Sequence, residues 1–217
     1  MFDFNWIEML LRVPGLIVGI TVHEFFHAWT AWKLGDDTPM AQGRVTLNPL
    51  AHLDPIGTIL ILFAGFGWGR PVQINPHNFR DSRRGDMLVS LLGPVSNFLV
   101  AVGFAIALLF VSRVHAGNTV LVNGALAMGV WINAALMVFN LIPLYPLDGS
   151  HVMAALLPYE ARERYEAFGR YSFFVLIGVV LLLGGVLSRV IGVVAGLIAI
   201  PFKLDLAYYI IEALKRT

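Results

Sequence analysis

Apolar residues along this chain gather in long runs separated by short polar stretches, at about 14–34, 86–112, 118–142, 171–187 and 190–211. Each run approaches the ~20 residues that carry a helix across a bilayer, so five spans are expected as a minimum. Residues 56–66, IGTILILFAGF, are as apolar but number only eleven, which predicts a re-entrant or buried segment rather than a full crossing. Brief alternation at 43–47 and in RPVQIN, 70–75, predicts two short strands. Ahead of the first run, MFDFNWIEMLLR sets Trp6, Ile7, Leu10 and Leu11 beside Asp3, Glu8 and Arg12 and reads as an interfacial helix, with Pro14 and Gly15 opening the first span. The pattern predicts an all-α polytopic membrane protein of five to six transmembrane helices, with a short re-entrant or β-strand element between the first two core helices. No repeat, low-complexity tract or large insertion interrupts it, so residues 1–217 read as a single membrane-embedded domain.

Composition agrees: 58% of residues are hydrophobic and 13% charged. The net charge of +1 shows no concentrated basic face, which excludes nucleic acid as a partner. With no cysteine, the chain has no disulfide, thiolate ligand or cysteine nucleophile. The first dozen residues lack the basic start and cleavage site of a signal peptide. If 56–66 does not cross, the loops 33–85 and 143–170 and the C-terminal tail share one side. That side holds Lys33, Arg44, Arg70, Arg80, Arg83, Arg84, Arg162, Arg164, Arg170, Lys215 and Arg216, against Arg12, Arg113 and Arg189 opposite. Basic residues collect in cytoplasmic loops, so the expected orientation is N-terminus out and C-terminus in, in a prokaryotic plasma membrane.

Chemistry enters inside the first span, where ITVHEFFHAW places His23, Glu24 and His27 among apolar neighbours. Residues four apart share a helix face, so His23 and His27 can offer two imidazole nitrogens to one metal ion, and zinc suits that spacing. Ionisable groups at membrane depth cost a few kcal/mol each unless they find partners, so three together imply one. Catalytic zinc takes three protein ligands and leaves one place to water. Asp148, in FNLIPLYPLDGSH, is the leading third candidate, because Pro143 and Pro146 break the helix there and irregular backbone at that depth must line a cavity. The same aspartate could instead cap the helix that follows. His151 and His52 compete for the third position.

HEFFH at 23–27, NPLAHLDPIGT at 48–58, FGWGRPVQINPHNFR at 66–80, GPVSN at 93–97 and NLIPLYPLDG at 140–149 together resemble the site-2 protease family of intramembrane zinc metalloproteases. The resemblance covers most of the chain. It implies that His23, His27 and Asp148 hold one zinc ion and that Glu24 is the catalytic base. Asn97 and Asn140 match asparagines of the family's motifs and are expected to line the cavity as hydrogen-bond donors, candidates to stabilise the developing oxyanion. Implied partners are transmembrane protein substrates within the lipid bilayer. An edge at 43–47 or 70–75 could bind an extended substrate by strand addition, and the glycines of FGWGR, 66–70, suit either a mobile gate or a tight interfacial turn anchored by Trp68. No stretch is long enough for a PDZ domain between spans, and no nucleotide-sensing module follows them, which suggests the compact branch. The alternative is a transporter or metal-ion channel lined by the same His, Glu and Asp groups. The lack of an internal repeat and the single compact ligand set weigh against it, as the intact glutamate weighs against a silent binding relative.

Overall fold

The computed structural model describes residues 6–64, 68–113 and 119–215. Among the described residues eight α-helices run in chain order: α1 (Trp6–Lys33), α2 (Thr38–Ala41), α3 (Pro55–Ala64), α4 (Ser82–Arg113), α5 (Val120–Asn140), α6 (Asp148–Leu156), α7 (Tyr159–Ala199) and α8 (Leu206–Leu214). Among the described residues, four helices are long and apolar enough to cross a membrane: α1, α4, α5, and α7 with its 3-10 extension to Phe202.

Two expected boundaries are absent. The interfacial helix and the first span are one helix, because Pro14 lies inside α1 and its missing N–H costs one hydrogen bond without stopping the helix. The runs at 171–187 and 190–211 do not form two crossings either. Helix α7 continues through Ser188 and Arg189, where no proline interrupts it, and reaches Ala199. Its 41 residues extend about 60 Å, roughly twice the hydrocarbon thickness. The chain then turns at Lys203, which adopts φ 57, and α8 folds back. Nine residues make α8 only about 14 Å long, too short to cross. Ala213 of α8 packs with Leu11 of α1 and Met128 of α5, toward the N-terminal ends of both helices.

Small side chains allow the long helices to approach closely. Ala101, Ala105 and Leu108 of α4 meet Ala127, Val130 and Ala134 of α5 and Ala195, Ile198 and Ala199 of α7 in one buried cluster. Packing of this kind holds helices together where lipid removes the hydrophobic driving force.

Between α1 and α4 the expected strands do not form a ladder; among the described residues there is only an isolated antiparallel bridge, Leu53 to Gly69. Side chains take the backbone groups that a ladder would use. Arg44 donates to the carbonyls of Arg70 and Pro71, Val72 N–H to Glu24, and Asn75 N–H to Asp36. Fully buried Asp36 also accepts from Thr38 and Asn78. Burial works against its charge, yet these hydrogen bonds hold the carboxyl below its ordinary value near 3.8. Residues 56–64 of the short apolar run lie in α3, which opens at Pro55. Residues 65–67, which hold the last two residues of that run and part of the predicted gate, lie outside the described residues, and described Trp68 is half-exposed.

Candidate metal centre

Helix α1 presents His23 and His27 one turn apart, both buried, with ring centroids 4.5 Å apart. Helix α4 closes against them through Gly93. A Cβ at that position would lie 2.5 Å from His27 Nε2 and 2.8 Å from His23 Cε1, so any larger residue would push the rings aside. After α5 ends at Asn140, the proline-rich turn 141–147 leads into α6, whose first residue is Asp148. Asp148 does not cap that helix: the N-cap is Leu147 and no side chain caps it. Its carboxylate points at the histidines instead, with Oδ2 3.1 Å from His23 Nε2 and Oδ1 3.4 Å from His27 Nε2.

The hydrogen bonds around the rings decide which nitrogens are bare. His27 Nδ1 lies 2.8 Å from the carbonyl oxygen of Val89, which can only accept, so Nδ1 carries the ring proton. His23 Nδ1 lies 2.7 Å from Asn97 Oδ1 and is protonated for the same reason. In the neutral rings both Nε2 atoms therefore present lone pairs, 2.9 Å apart. Asp148 Oδ2 is buried without a hydrogen-bond partner. Two lone pairs and a carboxylate crowded together repel one another unless a cation stands among them. One ligand atom from each of His23, His27 and Asp148 lies within 4.8 Å of the others, and two imidazoles with one carboxylate suit zinc, so the donor set fits the metal.

The remaining predicted site residues lie around this cluster. Glu24 is next to His23 in sequence, but its carboxylate faces the loop, accepting from Val72 N–H at 3.2 Å with Arg44 Nη2 at 3.9 Å. Asn97 is fully buried, and both its amide hydrogens are engaged, one by Gly19 O and one by Asn133 Oδ1. In this geometry Asn97 has no hydrogen left for a substrate oxygen. Asn140, partly buried, donates to Leu136 O of its own helix. The competing histidines lie elsewhere. His52 Nε2 bonds Thr46 O, and burial holds its pKa below the usual imidazole range. His151 pairs with Asp86 at 2.9 Å.

Two residues near the site were not singled out by sequence. Arg44 enters the sequence reading as a topology charge and within the 43–47 strand candidate, yet it is buried beside Glu24. Asn133 is fully buried in the middle of α5 and bonds Asn97. The available signal for Asn133 was a polar amide inside an apolar span, which must find a partner.

A family model described as Peptidase family M50 matches residues 115–184. The Bacillus subtilis protein named "Putative zinc metalloprotease YwhC" is 43% identical over 166 residues, covering 75% of this chain and 76% of that protein. A Mycolicibacterium smegmatis protein named "Putative zinc metalloprotease Rip2" is 31% identical over 188 residues, 83% of this chain and 69% of the relative. A Mycobacterium tuberculosis protein of the same name is 32% identical over 174 residues, 77% and 64%. No solved structure matches the chain.

Proposed function

This chain belongs to peptidase family M50, and from that premise we propose that it is an intramembrane zinc metalloprotease, hydrolysing peptide bonds within or near transmembrane segments of membrane proteins. The observation that carries the reading is the convergence of His23, His27 and Asp148, with bare ligand atoms, between helices apolar enough to cross a membrane. The relatives are named as metalloproteases, which does not favour the transporter alternative.

His23, His27 and Asp148 would hold a zinc ion, which when bound would supply a water of lowered pKa and a Lewis acid for the scissile carbonyl. Glu24 takes the proton of the attacking water and returns it to the leaving amine. The Val72 N–H and the Arg44 guanidinium limit how its carboxylate can turn. Asn97, with both hydrogens engaged, orients His23 rather than the substrate. The oxyanion contact is assigned to Asn140, which keeps one amide hydrogen beyond the one given to Leu136 O. Turnover of Asn140→Ala with zinc content intact checks that role, and unchanged turnover removes it.

Substrate must reach the site in an extended form. Among the described residues, the N–H groups of Gln73 and Ile74 and the carbonyls of 72–74 have no hydrogen-bond partner, which supports addition of an extended substrate along this segment. Ile74→Pro should lower cleavage without removing zinc. Val72 is the poorer place for proline, because its N–H already serves Glu24.

The basic loops 33–85 and 143–170 support a cytoplasmic placement for the α1–α4 and α5–α7 connections. Because α8 folds back beside Leu11, we place the C-terminal tail on the same side as the N-terminus, a revision of the N-out, C-in expectation.

The primary test measures zinc per purified chain and cleavage of a transmembrane reporter. Wild type should hold about one zinc, Asp148→Ala little, and Glu24→Gln the full amount without cleavage. Cleavage by Glu24→Gln, or wild type without zinc after reconstitution, would overturn the reading.

A further inference from the structure

Both hydrogens of the Asn133 amide go to backbone carbonyls, Gly15 O of α1 at 3.2 Å and Gly129 O of α5 at 2.9 Å. A carbonyl oxygen can only accept, so the orientation of this amide is not free: its NH2 must face the two carbonyls and its Oδ1 must face the other way. That oxygen meets Asn97, 3.1 Å from Nδ2. Nδ2 also donates to Gly19 O, another obligate acceptor, so the Asn97 amide is oriented in turn and Oδ1 is left for His23 Nδ1 at 2.7 Å. The proton then sits on Nδ1 of His23, and Nε2 is bare toward Asp148 and His27.

We propose that Asn133 is a positioning residue for the metal centre: through a one-way chain of hydrogen bonds from backbone carbonyls to Asn97 to His23, it sets which nitrogen of His23 can bind zinc. The nitrogen and oxygen of both amides are partnered, and Asn97 and Asn133 are both fully buried. The sequence makes room for it: a Cβ at Gly19 would fall 2.6 Å from Asn133 Oδ1. In the opposite orientation the Asn97 amide would set its Oδ1 against two acceptors, Gly19 O and Asn133 Oδ1, and its NH2 against the N–H of His23. This chain is satisfied by one only. The inference rests on the zinc reading above.

The experiment compares zinc dissociation constants, by competition with a chromophoric chelator, for the full-length chain in detergent as wild type, Asn133→Leu and Asn133→Asp. Leucine fills the same space but removes the acceptor facing Asn97, and zinc affinity should fall about tenfold or more, within the ~10–100-fold range of groups that orient a ligand. A buried aspartate in its neutral form keeps a C=O toward Asn97 and places its O–H on one helix carbonyl, so affinity should stay within about threefold of wild type. Both variants lose helix-to-helix bonds and should melt lower. Equal zinc affinity in Asn133→Leu and wild type would overturn the proposal, as would an equal loss in the aspartate and leucine variants, which is the mark of a purely structural tie. Should leucine prevent folding, the ring 15N spectrum of metal-free Asn133→Asp decides: a proton kept on His23 Nδ1 supports the chain, and a proton moved to Nε2 overturns it. Wild type without zinc would instead defeat the underlying reading.

Discussion

Half of the most apolar stretch of α5 is buried inside the protein, against 6% of the corresponding stretch of α7 with its 3-10 extension. Helix α5 carries Asn123, Asn133 and Asn140 among its apolar residues, and its neighbours meet it through alanines and glycines. Helix α7 turns Leu181, Leu182, Phe174 and Val193 outward, and a Cβ at Gly178, Gly184 or Gly185 would meet nothing within 4 Å. In hydrocarbon, leucine gains little by leaving lipid for protein, whereas an amide gains a partner and a glycine gains a close backbone contact. The polar and small residues therefore mark where this protein holds itself together, and the leucines mark where it meets the membrane.

Removing the carboxylate of Asp148 should have the largest effect, with zinc binding and cleavage both lost, as metal analysis and a reporter assay would record. Next comes the same glycine substitution placed once in the packed interior, on α4, and once on the outward-facing α7. Gly93→Ala should displace the histidine rings, cost about 1–3 kcal/mol of stability and weaken zinc binding at least tenfold. Gly185→Ala should leave zinc unchanged and cost nothing, with a gain of up to about 1 kcal/mol from helix propensity. Similar melting shifts for the two would break the comparison. A pH series reaches the connection between α1 and α4. The folded pKa of Asp36 lies below its ordinary value, so its contribution is fully present above about pH 4 and is lost as pH falls through the folded pKa. Proteolysis of loop 34–81 should accelerate below pH 4 in wild type, and Asp36→Asn should be cleaved faster at neutral pH with a weaker acid response. The smallest effect is expected from Leu182→Ala, 84% exposed, which should shift stability by no more than about 0.5 kcal/mol in detergent.

Sequence alone made the paired histidines legible, because four-residue spacing on one helix needs only helix geometry. It also indicated Asp148, since two prolines must break the helix beside it, but left the N-cap reading open until the structure showed Leu147 at that position. The boundaries at Pro14 and at Ser188–Arg189 were misread, because a single proline or arginine interrupts an apolar pattern without ending a helix. The two strand candidates alternate as strands do, yet Arg44, Glu24 and Asp36 satisfy their backbone from a distance, and no local pattern reports that.

What the sequence by itself determined is therefore local and periodic: a membrane protein, an HEFFH helix with paired histidines, and a break that exposes an aspartate. Only the tertiary structure decided what depends on contacts between residues far apart in the chain. It brought Asp148 to 3.1 Å from His23, turned Glu24 toward Val72, and closed Gly93 over the rings. It also linked Asn133 to Asn97, whose engaged hydrogens set the direction of every bond down to His23. Hydrogen-bond direction is a property of the whole assembled chain of donors and acceptors, so no spacing rule could have supplied it.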